Sequence, residues 1–425
     1  GRRMHGRQMN DMREIGSEYY MESSDGDSDL TDILSGAARN AGCGVRFLRC
    51  GRDALGFIAD EIARRGAGIS RTLFIPALCC DSMVLPFSKR GWNIKYYRLN
   101  PDLSADTEHL RDLIDRDADA ARIDIGTDSV PVVLVMNYYG ITDVVSVKSF
   151  IRERYPHLII IEDVTHQVFS PAQYMDVEVR ADYVIGSIRK WMGVPDGSFV
   201  IGPEDMAEVT DIADVTDVAD VTDGSVSDFT RLRRQALLEK REYIFSEDRP
   251  QTLKDHFRKL FGEAEDSLED GIHPMPMSDV ARDVLGAMDL SDIRAHRRDN
   301  FKVLRECLSA DPLCGEMYEI LNPVADVPDC PFMLPIVMHI DHIRENSHTA
   351  AGQSITRDRF ENKLAARGVY APVLWPIDAQ AAETCDVSRR FAQNMLAFYI
   401  DQRYDSDDMR YVAEVFGDEL RAILG

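Results

Sequence analysis

The sequence predicts an α/β protein built on a mainly parallel sheet, followed by a smaller C-terminal α+β domain. Two nearly continuous apolar runs carry the first half of that expectation. PVVLVMNYYG at 131–140 and HLIIIEDVTHQ at 157–167 have no polar alternation, as expected for parallel strands buried on both faces. Helical patterns separate these runs, and strand–helix–strand repetition is the signature of a parallel α/β sheet. After residue 290 the pattern changes to helices with isolated strands. With 425 residues the chain exceeds the size at which one core keeps growing, so it divides. The expected division is an N-terminal segment (1–35), a large domain (36–245), linker helices (246–290) and a small domain (291–425).

The elements can be justified in order. Residues 45–49 are extended in character, and from Asp53 the apolar positions Leu55, Ile58, Ala59 and Ile62 follow helical spacing. Between them, CGRDA is a glycine-containing turn opening directly into a helix. Free N–H groups at a helix N-terminus favour a phosphate, so the backbones of Gly51, Arg52 and Asp53 form a candidate anion cradle. RTLFIPALCCDSMVLPFSKRGWNIKYYRLN reads as strand, short helix, strand, with Pro76 ending the first strand and Gly91 closing the helix. Helices are expected over 102–116 and 146–154. ADYVIGSI is a further strand, delivering Ser187 and then Lys190 before a turn at Pro195, Asp196 and Gly197. Helical pattern covers 278–310, with Arg294, Arg297 and Arg298 at exposed or ligand-facing positions. CPFMLPIVMHI and VYAPVLWP read as strands, 356–367 as a charged helix, and SDDMRYVAEVFGDELRAIL as a capped amphipathic helix.

Composition narrows the function. The formal charge is −24, from 49 Lys+Arg against 73 Asp+Glu, which argues against broad nucleic-acid affinity. It leaves room for phosphorylated small molecules, which need only one local pocket of donors. No apolar run is long enough to span a membrane and no secretory pattern is present. The eight cysteines show neither CxxC pairs nor zinc spacing, so a reduced, cytoplasmic protein is expected. The acidic hexads AEVTDI, ADVTDV and ADVTDG within 207–224 lack the glycine and ligand spacing of a calcium loop and read as a solvated insertion. HIDH at 339–342 resembles a metal pair without a third ligand.

Taken alone, Lys190 is an ordinary strand-terminal lysine. It gains meaning from its company, because Asn137, Asp163, His166, Ser187 and Lys190 all fall at the carboxyl ends of predicted parallel strands, where such sheets bind ligands. A lysine amine can condense with an aldehyde, and the aldehyde-bearing phosphorylated cofactor that reacts with lysine is pyridoxal 5′-phosphate (PLP). PLP needs a Schiff-base lysine, a carboxylate for its pyridine nitrogen, a phosphate site and groups that orient the ring. Lys190, Asp163, and Ser187 with the Gly51–Asp53 backbone match the first three needs.

The runs CGRDAL, EDVTHQ, SIRKWMGVPDGSF, YAPVLWP and IDQRYDSDDM, spread over residues 46–412, resemble a subgroup of the DegT/DnrJ/EryC1/StrS family of sugar aminotransferases. The resemblance implies the aspartate-aminotransferase-like fold type I, PLP as cofactor, and a homodimer with active sites at the interface. It implies that Asp163 pairs with the pyridine nitrogen, His166 approaches the phenolic oxygen, Ser187 contacts phosphate and Lys190 carries the cofactor. The expected reaction moves an amino group from an amino acid, plausibly glutamate, to a keto group on a nucleotide-linked sugar. Asn137, Trp375 and Arg403 are substrate-side candidates. The chain departs from the family at Cys80, where an aromatic ring often covers the cofactor, and in the acidic hexads. Two rival readings are a PLP-dependent sugar dehydratase, whose relatives replace the lysine by histidine, and a non-catalytic binding or regulatory protein on the same fold.

Overall fold

The computed structural model describes residues 13–22, 26–66, 70–123, 129–175, 178–209, 227–268, 273–321 and 327–425. Most of the acidic repeat therefore lies outside the described residues.

Seven strands form the larger sheet: β1 (Gly44–Leu48), β2 (Ser70–Pro76), β3 (Asn93–Tyr97), β4 (Ser129–Met136), β5 (Ile159–Asp163), β6 (Tyr183–Ser187) and β7 (Ser198–Gly202). Their order across the sheet is β3–β2–β4–β5–β6–β7–β1. The pairs joining β3, β2, β4, β5 and β6 are parallel, whereas β7 runs antiparallel to both β6 and β1. The central runs behave as their composition predicts: Val132 to Val135, Ile160, Ile161 and Tyr183 to Ile185 are all buried. Register then decides the site. Asp163 pairs with Met136 on one side and Ile185 on the other, so β4, β5 and β6 end at nearly the same level.

Helix Gly51–Arg65 packs on this sheet through Ala54, Leu55, Ile58, Ala59 and Ile62. The helical pattern expected over 278–310 is broken: Asp279–Leu285 ends at Gly286, and Leu290–Ala310 restarts under an Asp289 cap that accepts the Asp292 N–H. The 246–290 stretch, expected as linker helices, is helical over Gln251–Asp266. Its helix Gln251–Asp266 folds back on Asp228–Phe245, burying Phe257, Leu260 and Phe261 with Leu237 and Tyr243.

A second, antiparallel sheet is built from β8 (Tyr318–Ile320), β9 (Met333–Met338) and β10 (Met395–Tyr399), in the order β10–β9–β8. Helices Leu290–Ala310, Arg357–Ala366 and Ser406–Leu424 supply its core with Phe301, Leu304, Phe360, Val412 and Phe416. The strand expected in VYAPVLWP is absent: residues 370–377 are irregular and buried at Ala371 and Trp375. The partner strand of β9 is instead β10, whose MLAFY follows directly on helix Asp386–Asn394.

A seam of saturated polar groups joins the two sheets. Arg297 was expected at an exposed or ligand-facing position, but it is fully buried. Its guanidinium donates to the carbonyls of Pro331, Phe332 and Trp191, to Gln402 and to the Tyr19 hydroxyl. It also lies over the Trp191 ring at 4.5 Å. A helix of this pattern needs an apolar face, and the seam substitutes an arginine whose donors are all satisfied. The 13–22 segment threads through the same seam. Ile15 pairs with Val369, the Gly16 N–H donates to the Tyr404 hydroxyl at 2.8 Å, and the Met21 N–H donates to Leu237. A Cβ on Gly193 would stand 1.8 Å from the Tyr20 carbonyl oxygen, so only glycine admits this segment there.

No helix among the described residues is long and apolar enough to cross a membrane.

Candidate active site

Thr165 explains why the EDVTHQ and SIRKW runs sit where they do. Its N–H donates to Asp163 Oδ1 at 2.8 Å, its Oγ1 accepts the Ser187 N–H at 3.2 Å, and its carbonyl accepts the indole N–H of Trp191 at 2.6 Å. One residue thus ties the end of β5 to the end of β6 and to the turn carrying Lys190. The turn is pinned from below as well. The Ile188 N–H donates to Gly197, and Gly197, at φ +134°, donates to Arg49 at 2.7 Å. Asp196 is buried and accepts from the Thr230 hydroxyl and the Ser278 N–H.

Asp163 is 4 % exposed and pairs with no cation among the described residues. Burial pushes its carboxyl above the ordinary value, against the hydrogen bonding of Thr165 and the charge of Lys190. Lys190 closes the short 3₁₀ turn Ile188–Lys190 and is half-buried. Its amine has no hydrogen bond or ion pair among the described residues, yet it acts electrostatically on both Asp163 and His166. Ser187 is buried, and its hydroxyl has no partner among the described residues. A Cβ on Gly51 would come 3.7 Å from that of Ser187, so the N-terminus of helix Gly51–Arg65 faces the serine. Cys50 caps this helix without a side-chain hydrogen bond, leaving first-turn N–H groups open.

The side chains in that first turn are committed elsewhere. Asp53 is fully buried against Arg49, with contacts of 2.7 and 3.1 Å. Arg52 donates to the Leu268 carbonyl at 3.1 Å. Only their backbones face the serine, as the anion-cradle reading requires. Arg189, beside Lys190, is taken up by Glu265 at 2.7 Å.

His166 is 1 % exposed, and its Nδ1 accepts the Tyr139 N–H at 2.9 Å. Burial first, and then the neighbouring Lys190, hold its pKa well below the ordinary value. The Phe332 ring stacks on it at 4.3 Å and 15°, and the Trp375 ring lies parallel at 5.7 Å and 12°. Tyr139 itself adopts φ +56°, a left-handed conformation costing a non-glycine residue about 1–2 kcal/mol.

Of the remaining expected residues, Trp375 reaches the site through His166 and also approaches Tyr138. Asn137 follows β4, but its Oδ1 accepts the Thr142 N–H at 2.9 Å and shapes the loop after that strand. Cys80 stands at the N-cap of helix Asp81–Ser88, half-buried, with its Sγ 2.8 Å from the Ser82 hydroxyl. Arg403 is placed in the seam: it forms a two-pronged pair with Asp401 at 2.7 and 2.9 Å and lies over the Tyr19 ring at 3.9 Å. Its guanidinium is spoken for by these partners. Thr165, Tyr139 and Phe332 were not anticipated. Thr165 had a signal, lying inside EDVTHQ; Phe332 and the Tyr139 backbone had none.

Neither a family model nor a curated protein matches the sequence. Solved structures do match the fold. Helicobacter pylori PseC, an aminotransferase involved in the biosynthesis of pseudoaminic acid, superposes with a TM-score of 0.61 at 12 % identity, over 96 % of this chain and 100 % of that one. A DegT DnrJ EryC1 StrS aminotransferase from Brucella abortus gives 0.56 at 15 % identity, over 96 % and 92 %. Spr1654 from Streptococcus pneumoniae, a sugar aminotransferase by its description and solved in its PLP form, gives 0.55 at 11 % identity, over 95 % and 94 %. The chain has the aminotransferase fold. In that fold the seven-stranded sheet with its one reversed strand is the larger part, and the convergent strand ends hold the residues described above.

Proposed function

We propose that the chain is a PLP-dependent aminotransferase of the DegT/DnrJ/EryC1/StrS type, moving an amino group from an amino acid to a keto group of a sugar. The observation that carries this reading is one of open valences. Asp163, Ser187 and Lys190 converge at the ends of β5 and β6, buried or half-buried; among the described residues Asp163 is hydrogen-bonded by Thr165 but has no salt bridge, and neither the Ser187 hydroxyl nor the Lys190 amine has a hydrogen-bond partner. A phosphorylated pyridine aldehyde offers each of them its complement. The sugar aminotransferases that share the fold support the same reading, and one of them is described in its PLP form.

The roles follow from position. The Ser187 hydroxyl and the first N–H groups of helix Gly51–Arg65, from Gly51, Arg52 and Asp53, would hold the phosphate. The Asp163 carboxylate would keep the proton on the ring nitrogen, and Thr165 aims it from behind. His166 Nε2–H would donate to the phenolic oxygen. When bound, PLP supplies an electron-withdrawing ring that stabilises negative charge at the carbon losing its proton. The Lys190 amine, without a hydrogen bond or ion pair among the described residues, would bind the cofactor and later move that proton between the donor carbon and the cofactor. The His166 ring and the rings against it exclude water from one side. We further propose glutamate as donor, a nucleotide-linked sugar as acceptor, a homodimeric assembly and a cytoplasmic setting.

Borohydride reduction of the PLP-treated protein tests the core of this reading. A covalent adduct mapping to Lys190, and lost in Lys190→Ala, is expected. The absence of any adduct, or an adduct that survives in Lys190→Ala, would rule the function out.

A further inference from the structure

His166 is held from three sides, and each contact removes one freedom. The Tyr139 N–H points at Nδ1 at 2.9 Å, and a ring nitrogen that accepts a hydrogen bond carries no proton. The ring proton therefore sits on Nε2. The Phe332 and Trp375 rings, at interplanar angles of 15° and 12°, fix the plane of the imidazole. A turn of the ring within that plane would put a carbon where Tyr139 needs an acceptor, so the hydrogen bond fixes which edge faces the site. Nε2 has no hydrogen-bond partner among the described residues, and it is not one of the fully buried side-chain atoms left without one, so the edge that carries it is the one open to the site. Among the described residues the charged group that acts on it is Lys190, while Tyr139, Phe332 and Trp375 on the other sides carry no charge at neutral pH.

The clamp has two origins. Tyr139 follows β4 of the larger sheet; Phe332 immediately precedes β9 of the small sheet, and Trp375 lies in the irregular segment packed beside it. Phe332 is itself anchored, because Arg297 donates to its carbonyl at 3.1 Å. We propose that Tyr139, Phe332 and Trp375 are positioning residues that lock His166 as a neutral Nε2–H donor aimed into the cofactor site, so that the seating of the small sheet sets the aim of that donor. Its link to the cofactor rests on the proposed function; the locked tautomer does not.

The lock can be read in the full chain without cofactor, by ring-nitrogen NMR of isotope-labelled histidine, with His166 assigned among the ten histidines through His166→Gln. The expected result is an Nε2–H pattern that does not titrate between about pH 5 and about pH 8. Phe332→Ala and Trp375→Ala are each expected to give a mixed tautomer, whereas Phe332→Tyr keeps the wild-type pattern. A wild-type His166 that titrates near the ordinary value of about 6.5, or carries its proton on Nδ1, overturns the proposal without any variant having to fold. So does an unchanged pattern in both alanine variants. With PLP added, Phe332→Ala should raise the pH midpoint of the visible absorbance by about one unit, a tenfold change in proton affinity; an unmoved midpoint breaks the link between small sheet and site. If no adduct forms at Lys190 while the tautomer stays locked, the proposed function fails and the lock stands.

Discussion

Two deeply buried polar regions of this molecule are built on opposite terms. In the seam, Arg297 gives its guanidinium donors to carbonyls, an amide oxygen and a hydroxyl, and Arg403 is held by Asp401 and by the Ser17 and Glu18 carbonyls. At the strand ends, a few residues of chain away through Trp191, Asp163 and Lys190 find no salt-bridge partner and the Ser187 hydroxyl no hydrogen bond among the described residues. Burying a polar group without a partner costs about 1–3 kcal/mol; the seam avoids that cost by pairing, and none of the strand-end side-chain atoms is among the fully buried ones left unpaired among the described residues.

The contrast is breakable by substitution. The largest effect is expected at Arg297→Met, which leaves at least three buried acceptors without donors; unfolding in urea should come earlier by about 3 kcal/mol or more. A loss under about 1 kcal/mol would mean that the seam is not what holds the sheets together. Next comes acid. Burial alone would raise the Asp401 carboxyl, but Arg403 outweighs it and holds the folded-state pKa below the ordinary value. A depressed carboxylate stabilises the fold fully above its unfolded value of about 4 and loses that stabilisation as the pH falls through the folded value. Urea midpoints should therefore drop below about pH 4 in the wild type and less steeply in Asp401→Asn; parallel curves would remove Asp401 from the account.

The open region should answer in the other direction. Asp163→Asn removes a buried carboxylate that burial already disfavours, so the cofactor-free protein is expected to gain about 0.5–1 kcal/mol while its PLP chemistry falls by about a hundredfold. If stability falls instead, Asp163 belongs to the scaffold. The smallest change is expected from Ser187→Ala: stability within about 0.5 kcal/mol, with PLP binding weaker by about tenfold. Titration of cofactor absorbance would measure that loss, and undiminished affinity would move the phosphate elsewhere.

The sheet was legible because its strands are buried on both faces, and runs such as VVLVM and LIII leave no polar face to turn to water. The strand ends were legible for the same reason, since polar residues closing such runs mark where each strand emerges. What could not be read depended on partners far off in sequence. Arg297 looks like a surface residue until the Pro331, Phe332 and Trp191 carbonyls are seen around it. Arg403, a substrate-side candidate by motif position, stands paired with Asp401, two residues earlier, and that pairing was not anticipated. YAPVLWP has the composition of a strand, yet β9 pairs with β8 and β10. The contribution of Tyr139 was invisible in principle, because it comes from a backbone N–H that any residue except proline possesses.

The 13–22 segment has one more consequence, and it concerns the order in which the molecule is made. Gly16 is held by the hydroxyl of Tyr404, 388 positions later, and Ile15 by the backbone around Val369. During synthesis this stretch emerges well before those partners and must wait until they have followed. Contacts of such separation form late in folding. The segment that overlies Gly193, three residues beyond Lys190, is thus fastened only after Val369 and Tyr404 have been made, and a chain stalled before Val369 would lack that cover over the turn that follows Lys190.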